Sequence, residues 1–211
     1  MTFQEEQGSF LAGAAAAMVT KTKTIAFLGG MDIPLLRKFE VGYTAGAHQI
    51  DPAAQVLVKY VGSFDDVAAG KELSGVLFGQ QADIVYAAAG KAGLGAIDLV
   101  KTKPNAYVIG VDSDQDALAP GKILTSMVKH VDVAVLRLAQ AAASGHPPSG
   151  HLTLGLRESA VGLTNFQYTR SALTPAQFHT LDILRAAIIA GKLVPPTTRD
   201  ELARFKPLPL R

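Results

Sequence analysis

The sequence predicts an α/β fold, a parallel sheet covered by helices on both faces. Three observations predict it. Short β-branched and aromatic runs alternate with helix-length segments from residue 24 to residue 145. The strand runs are apolar throughout rather than alternating, as expected where both faces of a strand are buried. Each run then breaks into glycines or acids, the turn chemistry found at the carboxyl edge of such sheets, where ligands bind.

Taken in order, "TIAFLGG" is a buried strand and its turn. "IPLLRKFEVGYTAGAHQI" is a helix: Pro34 sits near its first turn, and Leu36, Phe39, Tyr43 and Ala47 recur at spacings of three and four. "QVLVKYVG" is the next strand, "DDVAAGKELSGVLFGQQ" a helix, "ADIVYAAAG" a strand and "LGAIDLVKTK" a helix. "NAYVIGVDSD" and "KILTSMVK" are further strands. "VDVAVLRLAQAAASG" is a helix ended by Gly145. "GHPPSG" at 145–150 reads as a loop, and "HLTLGLRESAVGLTNF" as an extended segment. "TPAQFHTLDILRAAIIAG" is a capped helix, with Thr174 as N-cap, Pro175 at the first position and Gly191 past the end. The Pro-rich "RFKPLPLR" reads as a peripheral tail. A helix in the opening residues has nothing ahead of it to pack on. It either covers the sheet or belongs to a part that is missing.

Composition narrows the function. The 211 residues are 48% hydrophobic, enough for a sizeable core. A net charge of +2 with dispersed basic residues speaks against nucleic acid or a membrane surface as partner. The absence of cysteine excludes disulfides, thiolate metal sites and a Cys nucleophile. No window reaches the roughly 18 apolar residues of a membrane helix. "FLAGAAAAMV" is short and follows the acidic "QEEQG", so it does not read as a signal peptide and no export address is expected in the chain as written.

"EQGSFLAGAAAAM", "FLGGMDIPLLRKFEVGYTAGA", "YVGSFDDVAAGKELS", "YAAAGKAGLGAIDLVK", "YVIGVDSDQD" and "LTSMVKHVDVAV" follow one another as in the basic membrane protein family. The resemblance, to substrate-binding lipoproteins of ABC importers that include purine nucleoside receptor A-like proteins, extends over residues 4–165. It implies one lobe of a type I periplasmic binding protein with remnants of the other. On that pattern residues 1–22 are a remnant helix and crossover. Residues 23–150 are the ligand-binding lobe, and 151–211 cross back and end in a helix and tail. The sequence starts late against the family, as a fragment, an internal start or a remodelled protein would, so weak binding by this form is expected. The resemblance implies a periplasmic or membrane-anchored extracytoplasmic place; with Met1 as true start the chain is cytoplasmic.

The candidate ligand residues lie on the post-strand turns "GGMD", "GSFDD", "GKAG" and "DSDQD". A carboxylate at Asp112, just past a strand end, can accept both hydroxyls of a ribose diol. The family places a ribose-holding acid in this motif; the plainer reading is a solvated or capping Asp. Asp114 and Asp116 are expected to cap or face water, and the motif lacks the central Gly and distal Glu of a calcium loop. Lys129 is a donor facing Asp112, or an exposed strand-end lysine. Phe64, out of place among Ser and Asp, is positioned to stack on a purine, or folds back on its own lobe. Gly90 lets backbone approach a ligand, and Gly30 and Met31 line the cleft, although the pair Gly29–Gly30 has an equally good turn explanation. Phe39 is expected in the core.

No metal, cofactor or catalytic group is expected. The five histidines show no metal-ligand spacing and are expected in loops or on the surface. Ser63 and Ser126 lack a nucleophile context, and "GKAGLG" lacks the spacing and the acid of a dinucleotide fingerprint. The function expected is therefore a non-enzymatic solute-binding protein. It would take a purine nucleoside or similar solute between two lobes and pass it to an ABC permease in the plasma membrane. An α/β enzyme using a nucleotide cofactor and a ligand-sensing regulator are the alternatives. A homo-oligomer paired over apolar surface is a further expectation.

Overall fold

Apolar runs become strands and amphipathic runs become helices in a computed structural model that describes residues 1–145 and 150–209. Strand β1 (Thr2–Phe3) leads into α1 (Glu5–Val19), then β2 (Thr24–Gly29), α2 (Pro34–Ile50), β3 (Gln55–Tyr60) and α3 (Val67–Gly79). Next come β4 (Ile84–Ala88), α4 (Gly93–Val100), β5 (Tyr107–Asp112), β6 (Ile123–Lys129) and α5 (Val131–Ala143). After residues 146–149 follow β7 (Thr153–Leu154), β8 (Val161–Leu163), α6 (Pro175–Ile189) and α7 (Arg199–Ala203). The loop expected at 145–150, with His146, and the last two residues of the tail lie largely outside the described residues.

The main sheet has the order β3-β2-β4-β5-β6-β8. Its first five strands are parallel, and β8 returns antiparallel along the outer edge of β6. Strand periodicity divides the core. Along β4, Ile84, Tyr86 and Ala88 face α1 and α2, whereas Val85 and Ala87 join the cluster under α3 and α4. Proline sets the start of α2, its fixed φ suiting the first turn while extended Ile33 precedes it. Helix α6 begins with a reciprocal capping box between Thr174 and Gln177, and Gly191 beyond its end adopts φ +71°.

The opening helix covers the sheet. Ser9 Oγ lies 3.2 Å from the Tyr86 hydroxyl on β4, and Phe10, Leu11 and four alanines of α1 belong to the same buried cluster as α6 and β8. Residues from both ends of the chain thus pack on the sheet formed by the middle. Contact with α2 is backbone to backbone: a Cβ on Gly13 would sit 1.9 Å from the Tyr43 carbonyl oxygen, and one on Gly46 1.9 Å from that of Phe10.

Two expectations are corrected. The segment after Gly150 is not continuously extended. It holds two short strands separated by a turn at 156–159, where the Gln7 side chain accepts from Leu156 N–H and the Glu158 carboxylate from Gly155 N–H. The Pro-rich tail is not peripheral either. Phe205 packs edge-on against Phe10 at 5.9 Å, and the buried Gln49 amide exchanges two 2.8 Å hydrogen bonds with the Leu208 backbone. Arg199 grips buried Glu40 through two bonds of 2.9 and 2.7 Å. Helices α1 and α2 leave apolar surface that Phe205 and Leu208 cover, and a buried amide needs partners.

Gly46→Ala should destabilise the protein by more than about 3 kcal/mol, because the new methyl meets a main-chain oxygen rather than a flexible side chain. Urea unfolding measures it; a midpoint within error of wild type would show that the two helices can separate at little cost.

Candidate functional site

Four parallel strands end at one edge and bring their following turns together. A hollow of about 120 Å³ opens there, between the first turns of α2 and the ends of β4, β5 and β6. Leu36 and Phe39 of α2 form one wall, and Phe64, Gly90, Asp112 and Lys129 complete it. Larger hollows, of about 570 and 520 Å³, lie along the C-terminal tail and beside the start of α6. Neither is lined by the end of a main-sheet strand, nor are hollows of about 260 Å³ beside the start of α7 and about 200 Å³ beside β7, so the small hollow is the site that the fold's own geometry marks.

Asp112 is the last residue of β5 and has φ +66°, a conformation that costs an L-residue about 1–2 kcal/mol. Its half-exposed carboxylate accepts from the Lys129 ammonium at 3.0 Å. Lys129, mostly buried, projects its ammonium towards the faces of Phe39 and Phe3, 5.5 and 5.9 Å from the ring centroids. The site therefore presents an oriented cation beside an anion with spare acceptor capacity, a combination suited to neighbouring hydroxyls.

Phe64 is half-buried at the rim. Its carbonyl accepts from Ala92 N–H at 2.8 Å, which ties the loop after β3 to the loop after β4. Gly90 turns at φ +57° against the Phe64 backbone. Gly30 lies directly beneath the Phe64 ring, where a Cβ would come within 2.3 Å of it. Met31 is on the lip, 40% exposed. The structure thus gathers Phe64, Gly90, Asp112 and Lys129 around the hollow, and leaves Gly30 and Met31 beside it. Phe39 belongs to the core, as expected, and also forms part of the wall.

Asp114 caps, accepting from Asp116 N–H at 3.0 Å. Asp116 does not face water, contrary to expectation. It is 2% exposed and accepts from Ser126 Oγ and Thr164 Oγ1, both at 2.7 Å, pinning β8 to the loop after β5. Burial raises its pKa and the two hydroxyl bonds oppose the rise. Ser126 is thereby a structural linker, and Ser63 Oγ accepts from the N–H groups of Asp65 and Asp66. His48 bonds locally to Ala54 O, His151 meets Thr2 Oγ1 from the other end of the chain, His130 is part-exposed and His179 is exposed. Among the described histidines only His48, on α2 and part exposed, is neither in a loop nor fully on the surface. Among the described residues no group of three metal-ligating side chains converges, and no helix is long and apolar enough to cross a membrane.

Sequence reasoning missed Glu5 and Glu6, in the first turn of α1. Both are buried, and each keeps one carboxyl oxygen without a hydrogen-bond partner. Burial raises both pKa values; the charges of Lys129 and Lys38 pull Glu5 back down while Asp112 pushes it up. The signal in the sequence was two acids ahead of a wholly apolar helix, which reads as an ordinary favourable interaction with the helix dipole.

A family model described as ABC transporter substrate-binding protein PnrA-like matches residues 1–193. Basic membrane protein A of Borreliella afzelii is 32% identical over 209 residues, covering 97% of this chain and 63% of that protein. A Lactococcus lactis protein named ABC transporter nucleoside-binding protein BmpA is 35% identical over 179 residues, covering 77% of this chain and 51% of its own length. The chain thus spans between half and two thirds of these relatives. Among solved structures, ABC transporter solute-binding protein from Aeropyrum pernix K1 matches with a TM-score of 0.81 at 24% identity, over 96% of this chain and 68% of the other. A transcriptional activator of the comK gene from Bacillus halodurans matches at 0.83 and 23%, over 92% and 66%. At such identities the likeness is one of fold.

The buried carboxyl of Glu5 makes stability depend on pH. An acid whose pKa is raised by folding contributes fully below its ordinary value, near 4.5, and loses that contribution as the pH rises through the folded value. As the pH rises above about 4.5, wild type should therefore lose stability relative to Glu5→Gln, which has no charge to bury. Urea midpoints measured as the pH rises test this, and a constant difference would mean that the carboxyl is well solvated.

Proposed function

The chain belongs to the PnrA-like family of ABC transporter substrate-binding proteins, and from that premise we propose that it binds a purine nucleoside or closely similar solute at the strand edge. It does so without chemistry, outside the cytoplasm, for delivery to an ABC permease. The observation that carries this reading is the Asp112–Lys129 pair, 3.0 Å apart, on the same hollow as the Phe64 ring. Asp112 accepts the ribose hydroxyls, Lys129 donates to their oxygens, and Phe64 stacks on the base. Gly90 admits the ligand close to the backbone, with Gly30 and Met31 at the lip. A relative named for nucleoside binding supports the ligand class.

The size of the hollow bears on how the ligand is held. Sites that enclose a small molecule usually measure about 300–1,000 Å³, and this one measures about 120 Å³. It holds one side of the ligand, and a second surface closes over the other. Residues 23–150 form the ligand-binding lobe in this reading, with 1–22 and 151–211 as the elements that link it to that second surface.

Calorimetric titration with inosine, guanosine, adenosine and ribose tests the proposal. Saturable heat is expected with the purine nucleosides and none with ribose. Asp112→Ala should weaken nucleoside binding at least tenfold, about 1.4 kcal/mol, and Phe64→Ala by a similar factor given stacking worth about 1–3 kcal/mol per base. Unchanged affinity in Asp112→Ala would sink the ribose assignment; no heat from a folded wild-type chain would count against nucleosides as its ligand.

A further inference from the structure

The ligand role of Asp112 depends on a backbone that an aspartate seldom adopts, and a neighbour holds it there. Residues stay in such regions only when their surroundings over-determine them. Pairing of β5 with β4 ends at Ile109 opposite Tyr86, so beyond that point β5 has no strand partner on its β4 side. Gln115 takes that place. Its Oε1 accepts from Val111 N–H, the residue immediately before Asp112, at 3.0 Å.

Gln115 is itself anchored. Its backbone N–H donates to Ser126 Oγ at 3.0 Å, and that hydroxyl donates to buried Asp116, which also takes the Thr164 hydroxyl. The backbone that carries the carboxamide is therefore tied to β6 and, through Asp116, to the end of β8, not only to its own loop. Gly110 leaves the room required: a Cβ there would come within 2.7 Å of Gln115 Oε1 and 2.6 Å of Ser126 Oγ. Ser113 N–H closes the turn on the Val111 carbonyl at 2.8 Å.

Resting on the proposed role of Asp112, we infer that Gln115 is a positioning residue of the site, holding Asp112 at positive φ so that its carboxylate meets Lys129 and the ligand together. It touches no ligand itself. Its contribution passes through Asp112, and that distinguishes it from a residue that merely supports the fold.

Gln115→Leu keeps the approximate bulk and removes the acceptor. It should weaken inosine binding roughly tenfold in the wild-type background and leave an Asp112→Ala background unchanged. Equal losses in both backgrounds would overturn the inference. A measurement without ligand decides the matter independently: the three-bond amide coupling and chemical shifts of Asp112, with amide exchange at Val111, read by NMR. Gln115→Leu should release Asp112 from positive φ and expose the Val111 N–H to exchange, whereas Gln115→Glu, which keeps an acceptor oxygen, should preserve both. A folded Gln115→Leu protein with Asp112 unmoved would overturn the positioning role. Should wild type fail to bind inosine, the nucleoside reading falls, and the NMR result alone decides for or against Gln115.

Discussion

Backbone contact between α1 and α2 is the constraint on which the rest of the structure depends. Gly13, Gly42 and Gly46 let the two helices meet at main-chain atoms, with no side chain between them. That contact seats α1 on the sheet face and fixes the height of α2. The start of α2 then supplies Leu36 and Phe39 to the wall of the site, and its far end receives the C-terminal tail through Gln49. Such closeness also strips water from Glu5 and Glu6, whose carboxyls would otherwise be solvated at an ordinary helix start. A change at these glycines would therefore be felt at the strand edge without touching it.

Energetics separate what the site does from what the fold needs. The carboxylate of Asp112 is 53% exposed, and ion pairs so open to solvent contribute about 0–1 kcal/mol. The positive φ of the same residue costs about 1–2 kcal/mol. The strain therefore offsets much of what the exposed end of the pair contributes. Strain that persists beside a cleft, with hydrogen bonds arranged to maintain it, is the pattern of a binding residue. Lys129 obeys a different balance, because an ammonium so nearly buried needs a counter-charge, and Asp112 provides it.

Much of this was legible in the sequence, for reasons that individual elements make plain. The strands β2, β4, β5 and β6 are largely apolar runs buried on both faces, as their composition indicates, while the edge strand β3 is half-exposed. The helix at Pro175–Ile189 carries its own cap at each end. Phe64 stood out by its polar neighbours, and the structure puts it at the rim. The failures share a physical cause. Asp116, Gln115, Glu5 and the tail residues Phe205 and Leu208 have roles set by partners distant in the chain or by a local backbone angle. Asp116 meets Thr164 from the returning strand; Gln49 meets Leu208 from the far terminus. Local composition says "polar loop" or "Pro-rich tail" in each case, and only the folded register says what lies opposite.

The three acids of "DSDQD" show how far a backbone can divide one residue type. Asp112, at positive φ on the strand end, turns its carboxylate to the cleft and a lysine. Asp114, two residues on, bonds only the neighbouring main chain. Asp116 is turned inward, under the loop, where two hydroxyls meet it in place of water. Between them Gln115 lends its side chain to Val111 and its main chain to Ser126. The inner acid and the linker form one hydrogen-bonded unit through Ser126, and it ends at Val111, the residue before the outer acid. Burying Asp116 raises its pKa and is costly taken alone, but it gives the loop a fixed point on two strands. A loop so fixed can hold an outward carboxylate in a conformation it would otherwise leave.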